Sequence, residues 1–171
     1  PKPLLPLRGK PLIEWHLEAL ARGGVREVVV NTAWLEEQIV AALGDGRRFG
    51  LAIRYSLEGH DHGGALETAG GLKKALPLLQ VAGDEPFWYL AADVFAPAFV
   101  FDAAAAAALQ PGDLAHLWLV RNPPQHPGGD FGLADGHATA GGDGPRHTWS
   151  GFGVFRPAFV DELMAGLRVG E

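Results

Sequence analysis

Apolar and polar positions along the chain alternate between strand-like and helix-like periods. Ile13, Leu17 and Leu20 recur at helical spacing within the first twenty-odd residues. The run REVVVN at 26–31 is almost continuously β-branched, which is typical of a strand covered on both faces in a parallel sheet. The chain therefore begins with a helix followed by a buried strand.

The same alternation continues to residue 120. We expect helices at 35–43, 66–79 and 98–109, strands at 51–56, 86–93 and 114–120, and short strands with glycine-rich turns from 130 to 155. A repeated βαβ pattern predicts an α/β fold, a doubly wound mixed sheet that is mostly parallel, with helices on both faces. In such sheets the ligand site lies beyond the carboxyl ends of the strands.

Composition limits the classes of function. With 171 residues and 47% hydrophobic positions, we predict a single domain over residues 1–171. The net charge of -6 argues against a nucleic-acid binder, because such proteins usually carry a basic patch. There is no cysteine, and no apolar run reaches membrane-spanning length. These features predict a soluble cytoplasmic protein with a small-molecule ligand, and neither nucleic acid nor membrane as partner.

Three places stand out chemically. Asp93 ends an apolar strand, where a carboxylate can bind a divalent cation or serve as a turn or N-cap residue. The stretch GGALETAGG at 63–71 either lets its backbone approach an anion or a base edge, or is a flexible connection. Lys2, between two prolines, is either a phosphate partner or a solvated terminal side chain.

Histidines suggest a different chemistry. His60 and His62 flank Asp61, and imidazole with carboxylate suits Zn²⁺ or Ni²⁺, although no further ligands follow at a suitable spacing. His126, in NPPQHPGGD, is a possible sugar or phosphate contact.

Taken together, four motifs carry a family resemblance. PKPLLPLRGKPLIEWHLEAL, LETAGG, YLAADVF and WSGFGVF, in this order, resemble the sugar-1-phosphate nucleotidyltransferases, or nucleoside-diphosphate-sugar pyrophosphorylases. Within that family the chain is most similar to the bacterial N-acetylmuramate α-1-phosphate uridylyltransferases of peptidoglycan recycling. The resemblance implies a Rossmann-like nucleotide-diphospho-sugar transferase fold. It also implies Mg²⁺-dependent transfer from a nucleoside triphosphate to a sugar 1-phosphate, with UTP and N-acetylmuramate 1-phosphate as the favoured substrates.

The resemblance assigns roles to individual positions. Lys2 and Asp93 would be catalytic, Lys2 on the phosphates and Asp93 on the magnesium ion. The nucleotide would contact Glu58, Ala65, Leu66, Glu67, Thr68, Ala69, Gly70 and Gly71, and the sugar would contact Asn122, Asp130 and Gly151. Two alternatives remain open: a mannose-1-phosphate guanylyltransferase, and a non-catalytic nucleotide-sugar-binding regulatory protein.

The resemblance also implies features that residues 1–171 do not contain. The family's first strand and its glycine-rich loop with an arginine would precede the proline-lysine-proline motif, and a second metal aspartate would follow residue 171. In the doubly wound order the first strand lies between 26–31 and 86–93, so a sheet without it has a gap and two apolar edges. We therefore expect these residues to be part of a longer protein. The sequence predicts no oligomeric state.

Overall fold

Strands and helices alternate along the chain in a computed structural model that describes residues 1–79, 81–141 and 144–168. The strands are β1 (Pro6–Leu7), β2 (Lys10–Pro11), β3 (Glu27–Thr32), β4 (Ala52–Leu57), β5 (Phe87–Leu90), β6 (Ala115–Val120), β7 (Phe131–Ala134), β8 (His137–Thr139) and β9 (Arg146–Phe155). The α-helices are α1 (Leu12–Arg22), α2 (Glu36–Leu43), α3 (Glu58–His62), α4 (Glu67–Leu79), α5 (Ala103–Ala106) and α6 (Pro157–Arg168). Single 3₁₀ turns lie at Lys2–Leu4 and Arg47–Phe49. Within the described ranges, no helix has the length and apolar character needed to cross a membrane.

In the part of the chain that the structure describes, the strands form three separate hydrogen-bonded groups. β1 and β2 make a short antiparallel pair, and β3 pairs with β4 in parallel. β9 is the centre of the third group, pairing antiparallel with β5, β6 and β7, while β8 extends the sheet beyond β7.

The observed sheet has more antiparallel pairing than the pattern predicted. β3 and β4 are parallel as expected, but the ladders around β9 are antiparallel. Connections without a helix join β6 to β9, and such connections return the chain in the opposite direction. The ten-residue β9 also replaces several of the short strands expected before residue 155.

The helix expected at 98–109 is shorter than predicted. Only Ala103–Ala106 is α-helical, and it begins after Asp102, whose carboxylate accepts the N–H of Ala105 at 2.8 Å. The preceding residues form a turn at 97–98 and no regular element, and Phe101 packs into the core, where it is 1% exposed. The helix propensity of alanine predicted a helix in this region. It did not predict that the helix begins only after the buried Phe101.

Helices cover both faces of β5. Trp88 and Leu90 pack in the cluster that contains Leu20 of α1, whereas Phe87 packs in the cluster that contains Leu72 of α4. Alternate residues of a strand point to opposite faces, so α1 and α4 lie on opposite sides of the sheet. Between β3 and β5, and between these two helices, lies a cavity of about 580 Å³.

Candidate active site

Asp93 lies in the turn that follows β5, and helix α1 fixes that turn. The His16 ring donates from Nε2 to the Val94 carbonyl at 2.6 Å. Trp15 packs edge-on against Phe95, with ring centroids 5.5 Å apart. Because contacts on both sides of α1 hold residues 94 and 95, the Asp93 carboxylate has a defined position at the sheet edge.

His16 is a packing residue in this arrangement. It is 3% exposed, and burial lowers its pKa below 6.5 while its bond to the Val94 carbonyl partly opposes that shift. A neutral ring donating to a carbonyl needs no charge and leaves no proton free for catalysis.

Lys2 and Asp93 lie side by side. The Lys2 Nζ is 3.8 Å from Asp93 Oδ2, and the two side chains are 79% and 47% exposed. Their neighbours Leu4 and Ala92 pack against one hydrophobic cluster, which brings the opening 3₁₀ turn to the end of β5. An exposed pair of this kind adds little to stability, so both groups are available to a ligand.

The buried carboxylate of Glu58 holds the 65–71 segment in place. Glu58 is 5% exposed, and its Oε2 accepts the backbone N–H of Leu66 at 2.7 Å. A Cβ at Gly71 would lie 2.6 Å from Glu58 Oε1 and would also overlap Asn31 Nδ2. Gly71 is therefore required for the close approach of α4 to the end of β3. Glu58 supports this segment instead of facing outward, as a contact to a base would.

The remaining residues of the segment lie as follows. Ala65 and Thr68 are exposed, Leu66 and Gly70 are half-buried, and Ala69 is buried. Glu67 begins α4, and its side chain lies outside the described part of the chain.

Acidic and basic side chains fix helix α3, which precedes this segment. Glu36 accepts the backbone N–H groups of Gly59 and His60 at 2.8 and 3.0 Å. Lys74 donates to the Leu57 carbonyl and to Asp61 Oδ2. Hydrogen bonds from Lys74 and from His60 lower the pKa of Asp61 to about 2. The carboxylate of the alternative metal site is thus already bonded within the protein.

Tyr89 connects the segment to the sheet. Burial raises its pKa, a hydrogen bond with the Thr68 side chain opposes the shift, and the charges of Asp93 and Glu58 add to it. Its ring stacks on Trp149 of β9, with centroids 5.5 Å apart. The phenol therefore stays protonated and joins α4, β5 and β9 in one rigid unit.

Two of the residues proposed for sugar binding brace their own loop. The Asn122 amide donates to the carbonyls of Pro127 and Arg146 at 2.9 and 3.1 Å. Asp130 accepts the backbone N–H of Trp149 at 2.7 Å, and its other oxygen lies 2.9 Å from the His126 ring. Both side chains shape the 122–130 loop.

Gly151 lies next to the Asp93 turn. The Ala91 N–H donates to the Gly151 carbonyl at 2.9 Å, and a Cβ at position 151 would lie 2.7 Å from the Ala91 side chain. Gly151 also has a φ of 80°, which glycine adopts without strain. It thus allows β9 to approach the end of β5.

The residues present fit a magnesium ion held largely by phosphates. Within the described ranges, no three His, Cys, Asp or Glu side chains converge as a metal site. Asp93 is half-exposed, and its distance to Lys2 exceeds hydrogen-bond length, so its oxygens can take a cation. Mg²⁺ is commonly bound by one or two carboxylates together with substrate phosphates.

Sequence reasoning missed three residues of this site. Asn31, Tyr89 and Trp149 hold the segment, the strand end and β9 together, yet none was assigned a role. Tyr89 and Trp149 lie within the motifs YLAADVF and WSGFGVF, whose family roles fall on other residues. For Asn31 a signal existed, because it is the polar residue that follows a run of valines.

Known proteins resemble this chain over most of its length. Residues 1–140 match the family model described as Nucleotidyl transferase. N-acetylmuramate alpha-1-phosphate uridylyltransferase of Neisseria meningitidis serogroup B is 46% identical over 171 residues, covering 97% of this chain and 71% of that protein. Mannose-1-phosphate guanyltransferase of Gibberella zeae is 36% identical over 95 residues, covering 55% of this chain and 25% of that protein.

Among solved structures, HddC from Yersinia pseudotuberculosis superposes with a TM-score of 0.72 at 16% identity, covering 95% of this chain and 70% of that chain. At this identity the likeness concerns the fold alone, and it confirms the predicted fold class.

Proposed function

Because the chain belongs to the nucleotidyl transferase family, we propose that it transfers the uridylyl group of UTP to N-acetylmuramate 1-phosphate and releases pyrophosphate. The name of the Neisseria meningitidis relative supports both the base and the sugar. The observation that carries the proposal is the exposed pair of Lys2 and Asp93 at the sheet edge, 3.8 Å apart. The phosphates of both substrates carry negative charge that must be neutralised. The Lys2 ammonium can do this directly, and the Asp93 carboxylate can do it by holding a metal ion beside the same phosphates.

Lys2 acts on the phosphates. The sugar-phosphate oxygen attacks the α-phosphorus of the triphosphate in line, the bond to the leaving pyrophosphate breaks, and no covalent bond to the protein forms. Negative charge on the phosphoryl oxygens is then the main barrier. The Lys2 ammonium offsets that charge, and the two flanking prolines limit the backbone freedom of the turn that bears it.

Asp93 would hold Mg²⁺ in the assembled site. When bound there, the ion supplies a second cation that draws charge from the phosphate oxygens. Asp93 keeps its orientation because the Val94 carbonyl is bonded to α1. The 65–71 segment would receive the nucleotide at the exposed side of Ala65 and Thr68, with Glu58 fixing the backbone from the buried side.

The 122–130 loop and Gly151 would form the sugar side. Asn122 and Asp130 set the shape of that loop through internal hydrogen bonds, and Gly151 allows β9 to reach the Asp93 turn. We further propose a cytoplasmic role in peptidoglycan recycling, where such a sugar phosphate would arise. The guanylyltransferase relative makes GTP with mannose 1-phosphate the second candidate pair.

A substrate panel tests the proposal. The polypeptide encoded by the complete reading frame is mixed with Mg²⁺, each of UTP, GTP, ATP and dTTP, and N-acetylmuramate 1-phosphate, mannose 1-phosphate or glucose 1-phosphate. Pyrophosphate release is the readout. We expect the highest kcat/KM for UTP with N-acetylmuramate 1-phosphate. Higher turnover of GTP with mannose 1-phosphate would replace the proposed substrates, and no turnover with any pair would favour the regulatory alternative.

Variants of the pair test the mechanism. Lys2→Ala and Asp93→Asn should each lower kcat about 100-fold or more, because transition-state charge is no longer offset. Lys73 and Asp161 form a surface ion pair 2.5 Å apart on α4 and α6, and their Ala and Asn variants are matched controls. If Asp93→Asn turns over as fast as Asp161→Asn, the metal assignment is wrong.

A further inference from the structure

One of the two side chains that the resemblance assigns to the sugar has no hydrogen-bond donor left for it. The Asn122 amide donates its two N–H groups to the carbonyls of Pro127 and Arg146, at 2.9 and 3.1 Å. Its oxygen accepts the Thr148 hydroxyl at 3.0 Å. An amide side chain carries two N–H donors and no more. Asn122 therefore shapes the loop and offers no donor to a ligand.

The other side chain, Asp130, cannot supply a donor either. A carboxylate only accepts hydrogen bonds, and the two oxygens of Asp130 already lie 2.7 Å from the backbone nitrogen of Trp149 and 2.9 Å from the His126 ring. The proposed sugar, N-acetylmuramate, carries a carboxylate on its lactyl group, and a carboxylate is bound by donors and cations. Its recognition therefore requires a further side chain.

The 122–130 loop is separated from the Asp93 turn by one short stretch of β9. β5 pairs with β9 as far as Phe152, and β7 pairs with it from His147. Residues 148–151 lie between the two ladders and span roughly 13 Å at about 3.3 Å per residue. This distance leaves room for a sugar whose phosphate lies at the Asp93 turn and whose substituents meet the loop.

The His126 ring is a fixed donor of this loop. Its Nε2 donates to Asp130 Oδ1 at 2.9 Å. The His126 backbone N–H donates to the Pro123 carbonyl at 2.9 Å, and its carbonyl accepts the Gly129 N–H at 3.3 Å. The side chain is 46% exposed, and Nδ1 has no hydrogen-bond partner among the described residues. The ring is thus held in one orientation with its second nitrogen open to a ligand.

Two arginines near the loop are less suited to this task. The Arg146 guanidinium already donates to the carbonyls of Ala140 and Asp130. Arg121 is exposed and makes no hydrogen bond or ion pair with the described residues. Its long side chain would lose the freedom of several rotatable bonds on binding, whereas the ring of His126 has already lost it.

We propose that His126 is the specificity-determining residue for the sugar, and that its protonated ring binds the lactyl carboxylate through Nδ1–H. A protonated imidazole donates from both nitrogens, so the bond from Nε2 to Asp130 is kept. A charge-assisted hydrogen bond to a carboxylate is stronger than a neutral one. The inference rests on the proposed function, and it adds the group that selects N-acetylmuramate 1-phosphate over N-acetylglucosamine 1-phosphate.

Paired kinetics test the inference on the polypeptide encoded by the complete reading frame. kcat and KM are measured with Mg²⁺, UTP and either N-acetylmuramate 1-phosphate or N-acetylglucosamine 1-phosphate, which differ only in the lactyl group. His126→Gln keeps an N–H donor for Asp130 but carries no charge. We expect this variant to lower the ratio of the two kcat/KM values about tenfold or more, through a higher KM for N-acetylmuramate 1-phosphate.

Arg121→Gln is the matched control for charge. It removes a positive charge beside the same loop without touching the His126 ring. Because an exposed charge without a fixed partner contributes little, the ratio should stay within about twofold of the wild-type value. If Arg121→Gln lowers the ratio as much as His126→Gln, the loop attracts the carboxylate by its overall charge and the assignment to His126 is wrong.

Nuclear magnetic resonance of the His126 ring gives a readout without turnover. The full-length protein is titrated with each sugar phosphate in the presence of Mg²⁺ and a UTP analogue whose α and β phosphorus atoms are joined by a methylene group. We expect the ring resonances of His126 to move with N-acetylmuramate 1-phosphate and to stay in place with N-acetylglucosamine 1-phosphate. Equal shifts with both sugars would overturn the inference, even if His126→Gln fails to fold.

The inference and the proposed function can fail separately. If the wild-type protein turns over N-acetylmuramate 1-phosphate and His126→Gln leaves the ratio unchanged, the inference is wrong and the function stands. If the wild-type protein does not turn over N-acetylmuramate 1-phosphate, the proposed function is wrong, and the resonance comparison alone decides whether His126 binds the carboxylate.

Discussion

A methyl group at position 71 would strike the polar contacts that hold the 65–71 segment. The Cβ of Gly71→Ala would lie 2.6 Å from Glu58 Oε1 and would overlap Asn31 Nδ2. The Asn31 side chain is exposed and can shift, but Glu58 is buried and its carboxylate cannot rotate into solvent. The nearest relief is a shift of the Glu58 carboxylate away from the Leu66 N–H that it accepts at 2.7 Å.

Two opposing terms set the size of the effect. Alanine stabilises a helix interior by about 1 kcal/mol relative to glycine. Loss of a hydrogen bond to a charged group costs about 1.5–3 kcal/mol, and here the carboxylate stays buried. We therefore expect Gly71→Ala to lower the free energy of unfolding by roughly 0.5–2 kcal/mol, despite its better helix propensity.

Gly64→Ala is the matched control in the same loop. A Cβ there meets nothing within 4 Å, and no left-handed φ opposes it. By restricting the unfolded chain it should be neutral or stabilise by about 0.4–1 kcal/mol. Urea unfolding at neutral pH, fitted with a common slope, measures both midpoints. If Gly71→Ala has a midpoint equal to or above that of Gly64→Ala, the proposed support of this segment by Glu58 is wrong.

Two further predictions concern His16 and Gly151, which contact the residues on either side of Asp93. Because burial lowers the pKa of His16 below 6.5, the unfolded chain takes up a proton first as the pH falls, so acid destabilises the fold. His16→Gln keeps an N–H for the Val94 carbonyl without titrating, and it should lose less stability in urea between about pH 7 and pH 5; equal losses would contradict the burial argument. Gly151→Ala has a φ of 80° and a 2.7 Å contact with Ala91, whereas Gly112→Ala has a φ of 92° and open space. Thermal unfolding should show that Gly151→Ala is less stable than Gly112→Ala by about 1–3 kcal/mol. Equal stabilities would mean that β9 does not pack tightly against Ala91 at the end of β5.

Local pattern predicted most elements up to residue 120. The valine run at β3 and the helical spacing in α1 each reflect burial on a definite face, and burial is what periodicity measures. The helix predicted at 98–109 is limited to Ala103–Ala106, because Phe101 packs into the core before α5 begins at the Asp102 N-cap. The excess of antiparallel ladders was missed because pairing on β9 is decided between segments far apart in the chain.

The site divides in the same way. Lys2 and Asp93 were expected at one site because the family resemblance assigns both to the phosphates and their metal ion, and the structure places the two side chains 3.8 Å apart. The role of Glu58 could not be predicted from the sequence. A carboxylate near a pocket can contact either a ligand or a neighbouring backbone N–H, and the path of the chain decides which. Here that path places the Leu66 N–H 2.7 Å from Glu58 Oε2 and leaves Glu58 5% exposed. A buried acid with a backbone partner acts on a ligand through the segment it holds, so its substitution should raise the KM for the nucleotide more than it lowers kcat.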